Sequence, residues 1–208
     1  LNRSVQESLG QLAQVCSYVY SENPQTILVA SISTAFHCPF EGHTPLERVL
    51  WIVEELVRMD IRRVSLADTD GAANPLQVWQ TVTTVTERFP EITWSLHLHN
   101  TRDMGLANAL AGLQAGITQF DASLGGIGGC PFAPGASGNI STEDLVHMLH
   151  EMGIATGIDL DVLLTEGKKL QAIIGHELSS QVTKAGTSSR LHAFEGVKIA
   201  AAHSARKE

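Results

Sequence analysis

The sequence predicts an α/β fold in which parallel strands alternate with helices. Short apolar runs suited to buried strands alternate with longer amphipathic segments along the 208 residues, and no linker divides them. A helix that connects two strands runs back across the sheet, which makes the strands parallel. The hydrophobic content of 43% is sufficient for a buried core, so we expect a single domain or a large part of one.

Capping and periodicity signals place the elements of the N-terminal part. Ser4 and Glu7 form a capping box at the start of a first helix, and residues 26–33 form a short apolar run typical of a buried strand. A loop rich in proline and glycine follows at residues 37–42. Thr44 as the cap, with a proline in the first turn, predicts the start of a second helix.

The same strand-then-helix unit repeats through the rest of the chain. Three further strands are predicted, at residues 61–67, 92–98 and 117–124. Helices are predicted to begin at Asn74, to cover residues 101–115, and to begin again at Ser141 and near Asp159.

Two architectures contain this alternation, an open doubly wound sheet and a (β/α)8 barrel. Both place the working residues in the loops after the carboxyl ends of the strands. A complete barrel has eight strands and about 250 residues, whereas four strands are predicted here. For a barrel, we therefore expect residues 1–208 to form one partial catalytic domain whose first strands would precede Leu1.

Composition argues against several classes of partner. The formal net charge is −8 and charged residues make up 17% of the chain, which is unfavourable for nucleic acid or an anionic membrane surface. No run approaches the roughly 18 apolar residues of a membrane span. Cys16, Cys38 and Cys130 are an odd and sparse set, so we expect free thiols in a reducing compartment.

Two histidines end the third predicted strand, in the segment His97-Leu98-His99-Asn100. Side chains at positions i and i+2 of a strand point to the same side, so both imidazoles face one edge of the sheet. Two neutral imidazoles in this arrangement can bind a divalent metal. The alternative is a pair of polar strand-end residues satisfied by the backbone, which a motif this short favours when it is taken alone.

A glycine-rich loop of 15 residues, 125–139, lies between the fourth strand and a capped helix and is longer than a simple connection requires. Its glycines let the backbone approach a ligand closely. The loop lacks the Gly-x-Gly-x-x-Gly pattern and a following Gly-Lys-Ser/Thr, which argues against dinucleotide and P-loop sites. It contains Cys130, which is either a reactive thiol or a small buried apolar side chain.

Polar residues also follow the earlier strands. Asp68 ends the second strand and could act as a base or orient a substrate, although Asp and Gly are ordinary turn residues. Glu41 is open to the same two interpretations, and Asn100 with Asp103 can simply cap the next helix. Because a parallel fold collects the loops after its strands around one pocket, we expect a shared site for Asp68, His97, His99, Cys130 and Asn139.

Taken together, these segments resemble the hydroxymethylglutaryl-CoA lyases, which are metal-dependent enzymes built on a TIM barrel. The resemblance rests on His97-Leu98-His99-Asn100-Thr101, on Asp121-Ala122-Ser123 and the glycine loop, on Thr142-Glu143-Asp144-Leu145-Val146, on Gly153-Ile154-x-Thr156-Gly157, on Cys38-Pro39-Phe40-Glu41-Gly42 and on Ser65-Leu66-Ala67-Asp68-Thr69. It is most specific between Cys130 and Asn139 and becomes looser after about Gly175. It identifies the chain as the C-terminal portion of such an enzyme.

The resemblance implies a cleavage of 3-hydroxy-3-methylglutaryl-CoA to acetyl-CoA and acetoacetate, a reaction of leucine degradation and ketone-body formation. It implies His97, His99 and the amide oxygen of Asn139 as ligands of a divalent cation, Mg²⁺ or Mn²⁺, and Zn²⁺ accepts the same ligand types. In the family an aspartate beside an arginine supplies a further ligand, and this sequence contains no Arg-Asp-Gly motif.

The resemblance also implies the acid–base groups of the reaction. Cys130 would protonate the acetyl-CoA enolate, and Asp68 or His97 would take part in removing the hydroxyl proton. We expect substrate contacts from three further residues, Gly128, Gly129 and Glu41.

Three alternatives remain open at this point. They are a lyase for a bulkier 3-hydroxy-3-alkylglutaryl-CoA, a synthase of the same barrel group that runs a Claisen condensation, and an inactive half-barrel that binds metal, CoA or a partner. For the lyase we expect an acyl-CoA substrate, no nucleic-acid or membrane partner, and a homodimer. We expect it in the cytoplasm of a bacterium or in the mitochondrial matrix of a eukaryote.

Overall fold

The computed structural model describes residues 3–129, 135 and 138–191. Its helices and strands follow in chain order: α1 (Val5–Glu22), β1 (Val29–Ile32), β2 (His37–Cys38), β3 (Gly42–His43), α2 (Leu46–Arg58), β4 (Arg63–Asp68), α3 (Pro75–Arg88), β5 (Thr93–Leu98), α4 (Gly105–Gln114), β6 (Phe120–Asp121), α5 (Thr142–Glu151), α6 (Leu160–Ile174) and α7 (Gln181–Ala185). A short 3₁₀ turn, Leu124–Gly126, follows β6.

The four predicted strands form one parallel sheet in the order β1-β4-β5-β6. Both edge strands are shorter than predicted, because β1 covers Val29–Ile32 and β6 covers only Phe120–Asp121. The central pair β4 and β5 is matched over six residues, from Arg63 opposite Thr93 to Asp68 opposite Leu98. This pair therefore fixes the carboxyl end of the sheet, where the polar residues gather.

The segment predicted as a loop at residues 37–42 contains a small antiparallel hairpin. β2 pairs with β3 so that His37 lies opposite His43 and Cys38 lies opposite Gly42. Gly42 has a φ of 81°, which explains why a glycine occupies this position in the turn. The hairpin holds His37 in a defined position beyond the end of β1.

Most of the predicted helix starts are confirmed by side-chain caps. Ser4 and Glu7 form the full capping box, and the Ser141 hydroxyl accepts the backbone N–H of Asp144. The cap predicted at Thr44 is wrong, because Pro45 is the N-cap residue of the second helix. The Thr44 hydroxyl donates to the carbonyl of Thr34 at 2.8 Å. As a result, α2 begins at Leu46 without a side-chain cap.

The helix predicted over residues 101–115 begins four residues later than expected. Its first turn does not form because Asp103 has a φ of 56°, in the left-handed region. The amide oxygen of Asn100 accepts the backbone N–H of Gly105 at 2.9 Å, so α4 starts at Gly105. Asn100 thus binds the first helical N–H, although the N-cap residue is Met104 and Asp103 does not cap the helix.

The two faces of the sheet differ in chemical character. One face is apolar, and Val64, Leu66, Leu96 and Leu98 on it are buried in the core. The opposite face is more polar: Ser65, Ser95 and His97 alternate along the strands with these apolar residues, and Ser95 and His97 are half-buried. The apolar face thus anchors the sheet, and the polar face is left for ligands.

Gly112 sets how closely α4 approaches this core. A Cβ atom at Gly112 would lie 2.2 Å from Cδ1 of the fully buried Leu96, so Gly112→Ala should destabilise the fold by about 1 to 3 kcal/mol. Gly10 on the exposed side of α1 is the matched control. A Cβ there meets nothing within 4 Å, so Gly10→Ala should stabilise the fold by up to about 1 kcal/mol. Urea unfolding of both variants measures the contrast, and equal stability of Gly112→Ala and the wild type would contradict this packing.

Candidate active site

His97 and His99 converge as the strand spacing predicts. Their Nε2 atoms are 3.3 Å apart, and the rings meet edge to face with centroids 5.3 Å apart. His97 retains 34% exposure and its Nδ1 lies 3.7 Å from Asp121 Oδ2. His99 is buried, and its Nδ1 is buried without a hydrogen-bond partner among the described residues. Two imidazole nitrogens this close are placed so that both could bind one divalent cation.

The pKa of His99 is lowered below its ordinary range, first by burial and then by the neighbouring His97. Asp70 opposes this lowering. Both main causes favour the neutral imidazole, which is the form that binds a metal.

Asn139 lies opposite His99 because residues 138–141 return to the end of the sheet. Asn139 forms an isolated bridge with His99, and the neighbouring Ile140 N–H donates to the Leu98 carbonyl at 3.1 Å. The Asn139 side-chain nitrogen donates to the Ile127 carbonyl at 2.9 Å. Its Oδ1 is buried and has no hydrogen-bond partner in the described part of the chain. The amide group is therefore oriented, with a free acceptor oxygen.

These atoms fit a divalent cation in donor type. Two imidazole nitrogens and an amide oxygen are ligands that Mn²⁺ accepts, and the unpartnered Asn139 oxygen lacks the hydrogen bond that a buried acceptor normally has. Within residues 3–129, 135 and 138–191, however, no group of three or more His, Cys, Asp and Glu residues could hold a metal ion.

Asp68 lies fully buried at the end of β4, beside the histidine strand. Its Oδ1 accepts the backbone N–H groups of Ala72 and Ala73 at 3.0 and 3.1 Å, so it does form the turn that its sequence position favours. Its Oδ2 is buried and unpartnered among the described residues. Burial raises the pKa of Asp68 to about 6, against the two amide hydrogen bonds, with a smaller rise from Asp70.

The remaining predicted site residues are only partly described. Glu41 lies in the exposed hairpin turn, and its carboxylate pairs with Arg48 on α2 at 2.5 Å. Gly128 and Gly129 are exposed, and a Cβ on Gly128 would lie 2.8 Å from the Asn139 side-chain nitrogen. Gly128 thus belongs to the wall of the site, whereas none of the Glu41 contacts connects it to the histidines. Cys130 lies outside the described residues.

Sequence reasoning did not identify two buried carboxylates near the site. The first is Asp70, whose Oδ2 lies 2.6 Å from Nδ1 of His37. The available signal was the second acid of the Asp-Thr-Asp-Gly turn after β4, but the His37 partner comes from a strand end 33 residues earlier.

The second is Glu143 at the start of α5, which is fully buried. Both of its oxygens accept the backbone N–H of Gly125, at 3.0 and 2.8 Å, and the Ser141 hydroxyl donates to it at 2.9 Å. The hydroxyl of Thr183 on α7 also donates to it, at 3.4 Å. Glu143 therefore fixes the first residues of the glycine loop against the C-terminal helices.

Comparison with known proteins identifies the family. The profile of the HMGL-like family matches residues 1–168. The chain belongs to this family. Among curated relatives of this HMGL-like chain, an (R)-citramalyl-CoA lyase from Chloroflexus aurantiacus is 51% identical over 75% of the chain and 49% of its own length. A hydroxymethylglutaryl-CoA lyase from Bacillus subtilis is 45% identical over 87% of the chain and 60% of its own length.

Solved structures extend the comparison to the HMGL-like fold. An HMG-CoA lyase from Acinetobacter baumannii, in complex with coenzyme A and 3-methylmalate, has a TM-score of 0.86 and 43% identity. The match covers 92% of this chain and 62% of that structure. The HMGL-like chain is thus an α/β fold whose parallel sheet matches part of the TIM barrel of these lyases, and it spans about half to three fifths of the length of these relatives.

These matches correct one prediction. The resemblance identified the chain as the C-terminal portion of a hydroxymethylglutaryl-CoA lyase, whereas the family match occupies the N-terminal part, residues 1–168, and does not extend through the C-terminal residues. Assignment to the C-terminal portion is therefore wrong, although assignment to the family is correct.

Further observations concern the cysteines, the helices and the names of the relatives. Cys16 and Cys38 are free. None of the described helices of the HMGL-like chain combines the length and apolar character needed to cross a bilayer. Curated relatives include lyases named cytoplasmic in Rattus norvegicus and mitochondrial in Mus musculus.

The raised pKa of Asp68 makes a testable contribution to stability. Because its pKa rises from 3.8 to about 6 on folding, the folded state holds this proton more tightly than the unfolded chain does. The stabilisation of the folded state by protonated Asp68 is fully present below about pH 4. It is lost as the pH rises through about 6. The unfolding free energy of the wild type should therefore fall, relative to Asp68→Asn, by up to about 3 kcal/mol over this range.

Urea unfolding at several pH values measures this difference. The matched control is Asp161→Asn, which changes an exposed carboxyl on α6. The difference in unfolding free energy between this variant and the wild type should change by less than about 0.5 kcal/mol across the same pH values. A pH-independent difference for Asp68→Asn would show that burial does not penalise this carboxylate.

Proposed function

We propose that this chain catalyses the metal-dependent cleavage of 3-hydroxy-3-methylglutaryl-CoA to acetyl-CoA and acetoacetate. The observation that carries the proposal is the convergence of His97 and His99, with Nε2 atoms 3.3 Å apart. Asn139, which pairs with His99, adds a buried and unpartnered Oδ1. This arrangement lies at the carboxyl end of a parallel sheet, where barrel enzymes place their chemistry. Membership of the HMGL-like family supports the choice of reaction.

Three described side chains would hold the cation. His97 and His99 would each supply Nε2, and Asn139 would supply Oδ1, for Mg²⁺ or Mn²⁺. A bound divalent cation would supply Lewis acidity that lowers the pKa of the tertiary hydroxyl of the substrate. The lowered pKa of His99 keeps its imidazole ready to bind without first losing a proton.

The chain's own groups would move the protons. The proton of the tertiary hydroxyl must be accepted while the C2–C3 bond breaks, and Asp68 and His97 are the candidates named above for a part in that step. The electron pair of the broken bond passes to the thioester as an enolate, and Cys130 would protonate C2 to give acetyl-CoA. The backbone of Gly128 and Gly129, next to Cys130 in the sequence, would border the substrate, with Glu41 as a more distant contact.

The wider setting of the reaction follows from the same proposal. We propose one partial-barrel domain over residues 1–208, an acyl-CoA substrate and a homodimer. Coenzyme A is bound in the Acinetobacter baumannii relative, which supports the acyl-CoA assignment. The location would be the cytoplasm of a bacterium or the mitochondrial matrix of a eukaryote. Relatives are named cytoplasmic in Rattus norvegicus and mitochondrial in Mus musculus.

A second substrate has a specific observation in its favour, the 51% identity to an (R)-citramalyl-CoA lyase. Citramalyl-CoA and 3-hydroxy-3-methylglutaryl-CoA both carry a tertiary hydroxyl at C3 of the thioester. They differ by one methylene between that carbon and the free carboxylate. Since one methylene in a pocket changes selectivity by only about 10- to 200-fold, both acyl-CoAs belong in the same assay.

Metal binding tests the proposed ligand set without requiring turnover. His97→Gln and His99→Gln should each weaken Mn²⁺ binding by at least about tenfold, measured by the loss of the free Mn²⁺ signal in electron paramagnetic resonance. The matched control is His147→Gln on α5, which should bind as the wild type does. Equal affinity of His99→Gln and wild type would remove this histidine from the site.

Cys130 is tested by acetyl-CoA release. Cys130→Ala should abolish release of acetyl-CoA from 3-hydroxy-3-methylglutaryl-CoA, because the enolate then lacks its proton donor, while Mn²⁺ binding stays at the wild-type level. Turnover that is unchanged in this variant would exclude the cysteine from the mechanism.

A further inference from the structure

A second acid–base pair lies at the same end of the sheet as the histidine strand. His37 Nδ1 and Asp70 Oδ2 are 2.6 Å apart. Asp70 is only 5% exposed, and its Oδ1 is buried without a hydrogen-bond partner among the described residues. The side chain of His37 is 34% exposed. This is an accessible imidazole oriented by a buried carboxylate.

The hydrogen bond also selects which ring nitrogen of His37 is available. A carboxylate accepts at Nδ1, so the neutral imidazole bears its proton there and has its lone pair on Nε2. No described residue forms a hydrogen bond with this Nε2. The imidazole is thus arranged as a proton acceptor, in the way that a base oriented by a third group is arranged in other enzymes.

The pair is connected directly to the strand that ends in the candidate metal ligands. β4 lies between β1 and β5, so the turn that contains Asp70 reaches both of its neighbours. On one side Asp70 holds His37, and on the other Arg102 donates to the Asp70 carbonyl at 2.7 Å. Gly71 packs so closely on the segment after His99 that a Cβ there would lie 2.8 Å from Cβ of Thr101.

The two candidate acceptors of the hydroxyl proton, Asp68 and His97, are both restricted by their contacts. Asp68 is fully buried and its Oδ1 is held by two backbone N–H groups, so it can reach a substrate only through another group. His97 directs its Nε2 at His99, and a proton accepted on that atom would compete with a metal. Neither of these two described candidates is therefore an exposed base that is independent of the ligand pair.

We propose that His37, oriented by Asp70, is the base that accepts the tertiary hydroxyl proton of the acyl-CoA substrate. This assignment deepens the proposed function and rests on it. The O–H bond breaks and an N–H bond forms at His37 Nε2. The oxygen electron pair forms the C3 carbonyl, the C2–C3 bond breaks, and its electron pair passes to the thioester enolate. The enolate takes one proton at C2 from the acid of the proposed mechanism, and exchange with solvent returns the proton of His37 to that acid.

Kinetics of acetyl-CoA release test the base on both acyl-CoAs. His37→Gln should lower kcat by about 10² to 10⁴-fold while KM changes by less than about threefold, since removal of a base affects the chemical step. Asp70→Asn should also lower kcat, because the carboxylate that orients His37 is then lost. Added imidazole should restore part of the kcat of His37→Ala, which a purely structural role would not allow.

His43→Gln is the matched control, because His43 lies opposite His37 on the same hairpin and is exposed. Its kcat should stay within about threefold of the wild type, a change too small for the loss of a base. A His37→Gln kcat equal to that of the control overturns the proposal. So does a loss confined to KM, which would make His37 an anchor for the substrate carboxylate.

Nuclear magnetic resonance separates this proposal from the proposed function. If the wild type releases acetyl-CoA from neither substrate, the lyase assignment fails. The ¹⁵N resonances of the imidazoles are then followed as 3-hydroxy-3-methylglutarate and Mg²⁺ are added. A shift of the His37 Nε2 signal with an unchanged His43 signal supports His37 as the group that meets the hydroxy acid, and an unchanged His37 signal overturns it.

Discussion

The ladder between β4 and β5 is the constraint on which the candidate site depends. Six matched residue pairs place Ala67 opposite His97 and Asp68 opposite Leu98. A shift of one residue would turn the histidines toward the apolar core, because alternate side chains of a strand point to opposite faces. The burial of Leu66, Leu96 and Leu98 resists that shift, so the apolar face of the sheet determines where the polar groups lie.

Burial shifts the pKa values of His99 and Asp68 in opposite directions, yet both shifts favour the uncharged side chain. It lowers the pKa of His99 and raises that of Asp68, and both changes favour the neutral form. Both shifts therefore reduce the charge that these two side chains carry at mildly acidic pH.

Short-range features of the site could be predicted from the sequence, and long-range ones could not. The spacing of His97 and His99 on a strand is enough to predict that they converge, and the capping box at Ser4 is equally local. The pair of His37 and Asp70 depends on the order β1-β4-β5, which joins residues 33 positions apart. The Thr44 hydroxyl likewise has a partner outside its own helix, the Thr34 carbonyl, which the local sequence does not indicate.

The hydrogen bonds of Glu143, which hold the start of the glycine loop, have a consequence for where the chain can be shortened. Ser179 donates from its backbone and its hydroxyl to the Gly125 carbonyl, at 3.2 and 2.9 Å, and Leu178 packs so closely on Gly125 that a Cβ there would lie 2.4 Å away. These partners lie beyond residue 168, where the family match ends. A truncation after residue 168 would therefore remove the residues that pack on Gly125 at the start of the glycine loop. Every candidate ligand would still be present in the sequence. If such a fragment lost activity, the cause would be the missing contacts to the glycine loop and not a change in the reacting groups.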